Sequence, residues 1–334
     1  MRELLQQRLI TNKHVRWIIY PLLLIALWFW QSPQWLHAGP GDGLNNGFDL
    51  SNALVPIAQI KHGGPGRDDI PAISDPRFIS ASQADFLNDN DRILGINLNG
   101  ETKAYPIRIL NYHEIVNDRF GNDSDNTAVL VSYCPLCGTG MAFLAARNGE
   151  DFDFGVSGLL YNSDVLLYDR QTESLWSQIR KQAVAGPLKG QHLEQIPLEH
   201  TRWSDWRARY PHTRVLSQDT GHRRDYSRSP YAGYADSEQL MFEVSARDRR
   251  FHPKEWVIGI TLNGVTKAYP FSRLPSGQHE LHDQLGGQTI RLVFDAANRS
   301  GRIYAADKLL PSTTSYWFAW YAFHPDTQVY RAKQ

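Results

Sequence analysis

The sequence predicts a mainly β fold, a β-rich α+β protein with two related β-rich units from an internal duplication, preceded by an N-terminal membrane-anchor helix. Three observations predict it. The segment "ILGINLNGETKAYP" (93–106) recurs without a gap as "VIGITLNGVTKAYP" (257–270). Short runs rich in β-branched and aromatic residues alternate with turns rich in Gly, Asn and Asp. A basic tail precedes an uncharged apolar run near the N-terminus.

Length and charge narrow the class of protein. With 334 residues the chain exceeds the usual size of a single hydrophobic core, which agrees with two units. Lys plus Arg and Asp plus Glu number 35 each, so the chain lacks the basic field on which nucleic-acid binding depends. We therefore expect no nucleic-acid partner.

The N-terminal segment predicts attachment to a membrane. Four basic residues precede "WIIYPLLLIALWFW" (17–30), and tryptophans at its ends suit the membrane interface. We expect 1–38 to form a cytoplasmic tail and a single-pass signal anchor in the cytoplasmic membrane, with the globular part in the periplasm. The alternative is a signal peptide cleaved after "WLHA" (35–38), which would give a secreted protein.

The repeat extends beyond the first shared segment and divides the chain. "WSDWRARYPHTRV" (203–215) corresponds to "WFAWYAFHPDTQV" (317–329), with the tryptophans and the Pro-x-Thr in register. Beyond 1–38, the predicted divisions are a linker (39–75), a first repeat with the CxxC site and an insertion (76–218), a connector (219–250) and a second, degenerate repeat (251–334).

The shared segments predict hairpins with few helices. "GINLNGETKAYP" reads as a strand, an Asn-Gly turn and a second strand, a strong hairpin signal. "HEIVNDRFGNDSDNTAVLVSY" (113–133) reads as a second hairpin with a longer loop. We expect helices at "SASQADFLN" (80–88) and in the two tryptophan segments.

Cys134 and Cys137 are the only cysteines, and they lie in "YCPLCGTG" (133–140) between two strand-like segments. A thioredoxin-type motif needs its first cysteine at the start of a helix, which this context does not supply. A Cys-Pro-x-Cys-Gly turn between strands is more typical of a metal knuckle. A redox-active or nucleophilic thiol pair and a structural disulfide stay open, although so short a loop would stabilise the fold little.

A closed metal site requires more ligands than two sulfurs. His113 falls opposite Cys134 if the second hairpin turns near residue 123, and Met141 offers a thioether close by. Asp164, in the polar cluster "YNSD" (161–164), is a candidate ligand or general base. These donors suit Zn or Cu, and in an enzyme the catalytic group would be Cys134, Cys137, His113 and Asp164.

The two copies differ at the thiols. Continuing the alignment places Ala296 against Cys134 and Arg299 against Cys137. Cys137 precedes the first tryptophan block by 66 residues and Arg299 precedes the second by 18, so the first copy holds 48 additional residues. We expect the chemistry to belong to the first copy and its insertion.

Four segments together resemble one family. "SYCPLCGTGMAF", "FGVSGLLYNSDVLLYDRQTESLWSQ" (154–178), "RDYSRSPYAGY" (224–234) and "KAYP" are similar to the domain of unknown function 3179 family. The resemblance implies no activity. It implies that the following residues lie on motif positions of the family: Asp69, His113, Glu114, Cys134, Cys137, Gly138, Thr139, Ser157, Asn162, Asp164, Asp169, Arg170 and Trp176.

The sequence thus predicts a membrane-anchored extracytoplasmic protein that binds a transition metal, Zn or Cu, through its Cys-Pro-Leu-Cys turn. Two alternatives remain, a thiol-based redox or nucleophilic enzyme and a non-catalytic envelope interaction module. The partner would be an envelope protein or a small molecule. We expect eight further residues around the site, namely Glu114, Thr139, Ser157, Tyr161, Asn162, Asp169, Arg170 and Trp176.

Overall fold

Short strands in several sheets make up most of the described chain, which confirms the β-rich prediction. The structure is a computed structural model that describes residues 45–121, 126–147, 149–276 and 278–331. The predicted anchor at 17–30 lies outside these residues. Among the helices of the described ranges, none is both long and apolar enough to span a membrane.

The first region contains two hairpins that follow the predicted pattern, and a short helix lies between them. Its elements are β1 (Ile60–His62), β2 (Phe78–Ser80), β3 (Arg92–Leu98), β4 (Glu101–Pro106), α1 (Ile107–His113), β5 (Ile115–Phe120), β6 (Thr127–Cys134) and β7 (Thr139–Leu144). Asn99 and Gly100 have φ of 54° and 82°, the left-handed pair that a two-residue type I′ turn requires. The two predicted hairpins are therefore confirmed.

The insertion forms its own hairpins before the chain returns to the first region. Its elements are β8 (Ala146–Arg147), β9 (Glu150–Asp151), β10 (Phe154–Tyr161), β11 (Asp164–Asp169), β12 (Leu175–Ser177), β13 (Gln182–Ala185) and β14 (Gln195–Ile196). The first region then ends with β15 (Glu199–Arg202), α2 (Trp203–Arg209) and β16 (Arg214–Leu216).

The second region has a similar order of elements, but a 3-10 turn replaces α1 and its described residues include no insertion. It contains β17 (Trp256–Leu262), β18 (Val265–Pro270), β19 (Gln278–Leu285), β20 (Gln288–Asp295), β21 (Ser300–Ala305), β22 (Lys308–Leu310), β23 (Thr313–Tyr316), α3 (Trp317–Phe323) and β24 (Gln328–Val329). Single 3-10 turns add Ile57–Gln59, Ala81–Gln83, Tyr234–Asp236 and Phe271–Arg273.

The hairpin that carries the thiols joins the sheet of the second region. The sheet of the first region has the strand order β15-β3-β4-β16-β2, and the sheet of the insertion has the order β1-β10-β11-β12-β13. The sheet shared by the two regions has the order β24-β18-β17-β23-β7-β6-β5, with β14 also beside β7. A fourth sheet, within the second region, has the order β19-β20-β21-β22. Gly140 of β7 pairs with Thr314 of β23, which links the two regions. β8 and β9 form a separate ribbon.

The tryptophan segments are helices, as predicted, and they pack alike in both regions. The Trp206 indole N–H donates to Thr213 Oγ1 at 3.0 Å, and the Trp320 indole donates to Thr327 Oγ1 at 2.9 Å. A Cβ at Gly95 would lie 2.4 Å from the Trp206 ring, and one at Gly259 would lie 2.4 Å from Trp320. Glycine is needed at both positions so that an indole can lie on the hairpin.

One helix prediction is wrong, and one helix was not predicted. The predicted helix at 80–88 is a single 3-10 turn, Ala81–Gln83, because Ala81, Ala84 and Leu87 are buried at a spacing of three residues. Helix α1 was not predicted. It follows Pro106, buries Ile109 and Leu110, and ends where Glu114 adopts a left-handed conformation with φ of 58°.

The hairpin registers also correct the alignment of the two regions. Cys134 pairs with Thr139 across a four-residue turn, and Asp295 pairs with Ser300 across another turn of four. The turns end in the left-handed residues Gly138 and Arg299. Asp295 therefore corresponds to Cys134 and Asn298 to Cys137, one residue from the alignment that placed Ala296 and Arg299 there.

Candidate metal centre

The two thiols lie at the base of the β6–β7 turn. Cys134 is the last residue of β6, Cys137 lies within the turn, and both are free and almost fully buried, with 1% and 0% exposure. Gly138, with φ of 60°, brings the chain back into β7. A Cβ there would lie 2.9 Å from Trp256 and 3.0 Å from Tyr316, so these rings fix the turn from outside.

A second tight turn meets the thiols. Tyr161 pairs with Asp164 across Asn162 and Ser163, whose φ values of 52° and 65° define a two-residue type I′ turn. This conformation is uncommon for serine and places its carbonyl at the sulfurs. The Cys137 thiol donates to Ser163 O at 3.2 Å, and the Cys134 thiol lies 3.8 Å from the same oxygen.

Asp164 completes a cluster of three metal-ligating groups. Its carboxylate and the two sulfurs each offer an atom within 4.8 Å of the others. The Ile179 backbone N–H donates to Asp164 Oδ2 at 3.0 Å, whereas Oδ1 is buried without a hydrogen-bond partner among the described residues. Burial raises the pKa of Asp164 to about 7, although the N–H groups of Ile179 and Val165 oppose this shift.

Burial also sets the state of the thiols. It raises the pKa of Cys134 and that of Cys137, and the nearby Asp164 charge adds to both shifts. Thiols in such a site are neutral near pH 7 unless a cation binds, because apolar surroundings disfavour the thiolate. A bound cation reverses this preference.

Other buried polar atoms around the thiols lack partners. Gln178 Nε2 donates to Ser132 Oγ on β6 at 2.9 Å, but Gln178 Oε1 has no partner in the described ranges. The Ser163 hydroxyl, on the residue whose carbonyl meets the sulfurs, is also buried without one. Each unsatisfied buried group costs roughly 1–3 kcal/mol, so this concentration favours a bound ion or water.

Glu114 is a second acid beside the cluster. Its carbonyl accepts the Tyr133 backbone N–H at 2.7 Å, and the residue is buried at the end of α1. Burial, followed by the charge of Asp164, raises its pKa to about 8. Its charge in turn raises the pKa of Cys134. Glu114, a residue predicted to lie near the site, therefore interacts electrostatically with Asp164 and Cys134.

His113 lies outside the cluster although the predicted register was right. The pairing of Ile115 with Ser132 would extend to place residue 113 opposite Cys134. Residue 113 instead ends α1, which turns its side chain away from the sulfurs. Its ring nitrogens contact Pro71 O at 2.7 Å and Tyr226 OH at 2.6 Å, and burial lowers its pKa to about 4.

Four further predicted residues lie around the cluster, namely Met141, Thr139, Tyr161 and Asn162. Met141 lies on β7 opposite Ser132, inside the hydrophobic cluster that includes both cysteines. Thr139 Oγ1 donates to Cys137 O at 3.3 Å. Asn162 Oδ1 accepts the Ser245 N–H at 2.7 Å, and the Tyr161 ring packs against Phe323 at 5.7 Å. These contacts connect the Asn162–Ser163 turn to the connector and α3.

The other predicted residues stabilise the sheet that carries Asp164. Ser157 lies at a bulge in β10, where it donates to Leu166 O and accepts the Leu159 N–H at 3.0 Å. Asp169 accepts the Trp176 indole N–H at 2.8 Å. Arg170 forms two bonds of 2.9 Å with Asp68. Among the motif positions, Asp69 accepts the Gly66 N–H at 2.7 Å.

Sequence reasoning missed the Ser163 carbonyl and Gln178. The signal for Ser163 was present, because "NS" between two apolar runs is the length of a tight hairpin turn. No local signal marks Gln178, which contacts Ser132 and Thr139 of the thiol hairpin only because β12 follows β11 in the inserted sheet. Its position depends on the tertiary structure.

The comparisons with known proteins give one match. A family model described as "Protein of unknown function (DUF3179)" matches residues 67–309. The range includes the thiol turn, the insertion, the connector and most of the second region. No match is found among curated proteins or among solved structures.

Proposed function

This chain belongs to the DUF3179 family of proteins of unknown function, and we propose that it binds a transition metal ion through Cys134, Cys137 and Asp164. The observation that supports the proposal most is the convergence of two thiols and a carboxylate within 4.8 Å in a fully buried position. Three such groups cannot all be ionised there without a cation. A divalent ion supplies the compensating charge and satisfies their lone pairs.

The donor set favours zinc over copper. Two thiolates and one carboxylate form a mixed sulfur and oxygen set, which suits Zn²⁺. Cu⁺ prefers soft ligands and would require Met141 in place of Asp164. Three protein ligands leave one tetrahedral position for water or a small ligand. Glu114, whose charge acts on Asp164 and Cys134, would be the acid available to a ligand in that position.

Metal content tests this proposal directly. We expect wild-type protein to hold one zinc ion per chain and the Cys134→Ser/Cys137→Ser variant to hold none. Asp164→Asn should weaken zinc affinity by at least roughly 10-fold, because it removes one charged ligand and changes to outer-shell partners alone cost that much. Asp118→Asn is a matched control, since this buried carboxylate binds Lys103 at 3.1 Å away from the thiols. Equal metal content in the wild-type protein and the double cysteine variant would refute the proposal.

The alternative of a nucleophilic thiol has less physical support. A reactive cysteine needs a lowered pKa and access to solvent, whereas burial raises the pKa of both thiols here. We expect folded metal-free protein to react with iodoacetamide at least 10-fold more slowly than the unfolded chain at pH 8. Rapid alkylation of Cys134 in the folded protein would favour the enzyme.

We propose the same cellular location that the N-terminal sequence predicts, a single-pass anchor with the globular part in the periplasm. Free thiols that lie close together tend to oxidise outside the cytoplasm unless a metal protects them, which links location to the metal site. Deletion of residues 1–38 should release the protein from the membrane fraction. Retention of the truncated protein in membranes would count against the anchor.

We also propose that the two regions arose by duplication. The support is the recurrence of a parallel strand beside an Asn-Gly hairpin, with Val215 paired to Ala104 in one region and Val329 paired to Ala268 in the other. Separate evolution of such matching details is less economical. Related chains with thiols in both turns would support this origin, and relatives consisting of a single region without the repeat would contradict it.

A further inference from the structure

The face of the β6–β7 hairpin opposite the thiols carries a second polar cluster. Successive side chains of a strand point to opposite faces, so Tyr133 points away from Cys134. His200 of β15 stacks on Tyr133 with ring centroids 6.1 Å apart, and Trp256 of β17 lies 5.3 Å from His200. Arg92 of β3 bonds to His200. Residues of both regions therefore meet at this point.

The hydrogen bonds fix the tautomer of His200. Arg92 Nη2 lies 2.8 Å from His200 Nδ1, and a guanidinium can only donate. Nδ1 therefore accepts, and the ring proton of neutral His200 is on Nε2. His200 is 2% exposed, and its Nε2 has no hydrogen-bond partner in the described part of the chain. Burial and the charge of Arg92 lower its pKa well below the usual range, which keeps it neutral.

Arg92 is a positive charge with only neutral partners. It donates to the carbonyls of Asn298 and Arg299 as well as to His200. Its Nε is buried without an acceptor, and no carboxylate of the described residues forms an ion pair with it. Burial lowers its pKa to about 10, and the charges of Arg299 and Arg202 add to this shift. Arg92 as a whole is half-buried, but its Nε is fully buried, and a cation with a desolvated, unpaired N–H favours an anion.

Two tyrosine hydroxyls add further donors. Tyr133 and Tyr316 are 5% and 6% exposed, and neither hydroxyl has a hydrogen-bond partner among the described residues. The Trp256 ring lies 4.6 Å from Tyr316 and forms an apolar wall. Two acidic groups act on Tyr316 by their charge, namely the Cys137 thiol, which is neutral while its pKa is raised, and Asp236, which is exposed on the connector.

We propose that Arg92, His200, Tyr133 and Tyr316 form a binding site for a small oxyanion, a carboxylate or a phosphate, where the first and second regions meet. Arg92 Nε, His200 Nε2 and the two tyrosine hydroxyls are donors without acceptors among the described residues, and both tyrosines lie near enough to Arg92 for their charges to act on it. Charge-assisted hydrogen bonds to an oxyanion satisfy all of them at once. The site shares the β6–β7 hairpin with the metal centre but uses no metal ligand, so it does not depend on the proposed function.

A titration followed by NMR tests this site. Full-length protein labelled with ¹⁵N-histidine should show His200 as the Nε2–H tautomer. Sodium formate, acetate and phosphate, added at constant ionic strength against sodium chloride, should shift the His200 Nε2 signal saturably. The strongest of the three identifies the ligand class. The Cys134→Ser/Cys137→Ser variant should give the same shift, which separates this site from the metal centre.

Conservative variants separate binding from folding. Tyr133→Phe/Tyr316→Phe removes two hydroxyls but keeps both rings, so we expect a folded protein with affinity at least 10-fold weaker. Tyr269→Phe is the control, because that hydroxyl donates to Asp283 at 2.9 Å, away from Arg92. The proposal fails if no anion shifts His200 saturably, if His200 carries its proton on Nδ1, or if the double variant binds as well as the control.

Discussion

The β6–β7 and β20–β21 hairpins share one backbone design and differ in chemistry. Both have a four-residue turn that ends in a left-handed residue, Gly138 in the first and Arg299 in the second. A Cβ at Gly140 would lie 2.4 Å from Leu94, and one at Gly301 would lie 2.1 Å from Ile258. Glycine is thus required at the same step of each hairpin.

The second turn is held by its own hydrogen bonds. The Asn298 backbone N–H donates to Asp295 Oδ1 at 3.0 Å, and Asn298 Nδ2 donates to Asp295 Oδ2 at 2.7 Å. These two residues occupy the positions of Cys137 and Cys134 in the first turn. The same backbone turn therefore forms with a different pair of side chains at these positions. This difference favours a chemical role for the thiols.

The insertion accounts for the rest of the difference. In the first region, the β10–β11 turn supplies Asp164 and the Ser163 carbonyl to the thiols. In the second region, β21 passes through β22 to β23 with no such hairpin between them. A thiol pair and an inserted carboxylate thus occur together in one region and are both missing from the other.

Moving the thiols to the second turn is the strongest test of this difference between the two regions. In a Cys134→Ser/Cys137→Ser background, Asp295→Cys/Asn298→Cys places a Cys pair on the second turn without an inserted carboxylate. We expect this protein to fold and to retain no stoichiometric zinc, because two sulfurs alone make an incomplete site. Metal analysis after gel filtration measures the result. One zinc ion per chain would show that the insertion is not needed.

Metal removal should destabilise the protein by a large amount. Zinc at roughly 1,000 times its dissociation constant should raise the free energy of unfolding by about 4 kcal/mol, by mass action. Urea unfolding with and without a chelator measures this difference. The double cysteine variant should show no difference, because its first turn then lacks thiols, as the second turn does. A chelator effect in that variant would contradict the assignment.

The histidines at the C-terminal ends of α1 and α3, His113 and His324, should behave alike in the two regions. Burial lowers the pKa of His113 and that of His324 to about 4. An unfolded histidine binds a proton below about pH 6.5, so stability should fall as pH decreases from 6.5 to 4, by on the order of 2 kcal/mol per residue. Urea unfolding of His113→Gln and His324→Gln should each show a shallower pH dependence. An unchanged slope in either variant would contradict the burial argument.

The smallest expected effect tests the shared tryptophan helices. Thr213→Val and Thr327→Val each remove the acceptor of one indole N–H. We expect each to lower the free energy of unfolding by about 1–2 kcal/mol, because a buried donor loses its partner. Tryptophan fluorescence during urea unfolding measures both. Losses that differ by more than about 1 kcal/mol would show that the two helices are not equivalent.

Local sequence signals predicted the hairpins and the tryptophan helices. The Asn-Gly turns require left-handed residues, and the tryptophan spacing recurs in both regions, so both features could be identified without tertiary information. The strand context of Cys134 and Cys137 was also local. Helix α1 was missed because seven residues after a proline give too short a pattern.

The site itself depended on contacts between distant segments. The predicted register placed residue 113 opposite Cys134, but α1 turned His113 toward Tyr226. Asp164 reaches the sulfurs because two tight turns from different sheets meet, which no periodicity encodes. The alignment of the two regions shifted by one residue because few side chains match near the second turn. The pair Gly140 and Gly301, which fixes the register, is recognised only from packing.

The most direct test of the central claim is X-ray absorption at the zinc edge of full-length protein. We predict two sulfur neighbours at about 2.3 Å together with oxygen neighbours at about 2.0 Å. The oxygen contribution to the spectrum should change in the Asp164→Asn variant, because one oxygen ligand is the Asp164 carboxylate. A spectrum with only nitrogen and oxygen neighbours, or protein that takes up no metal, would contradict the account.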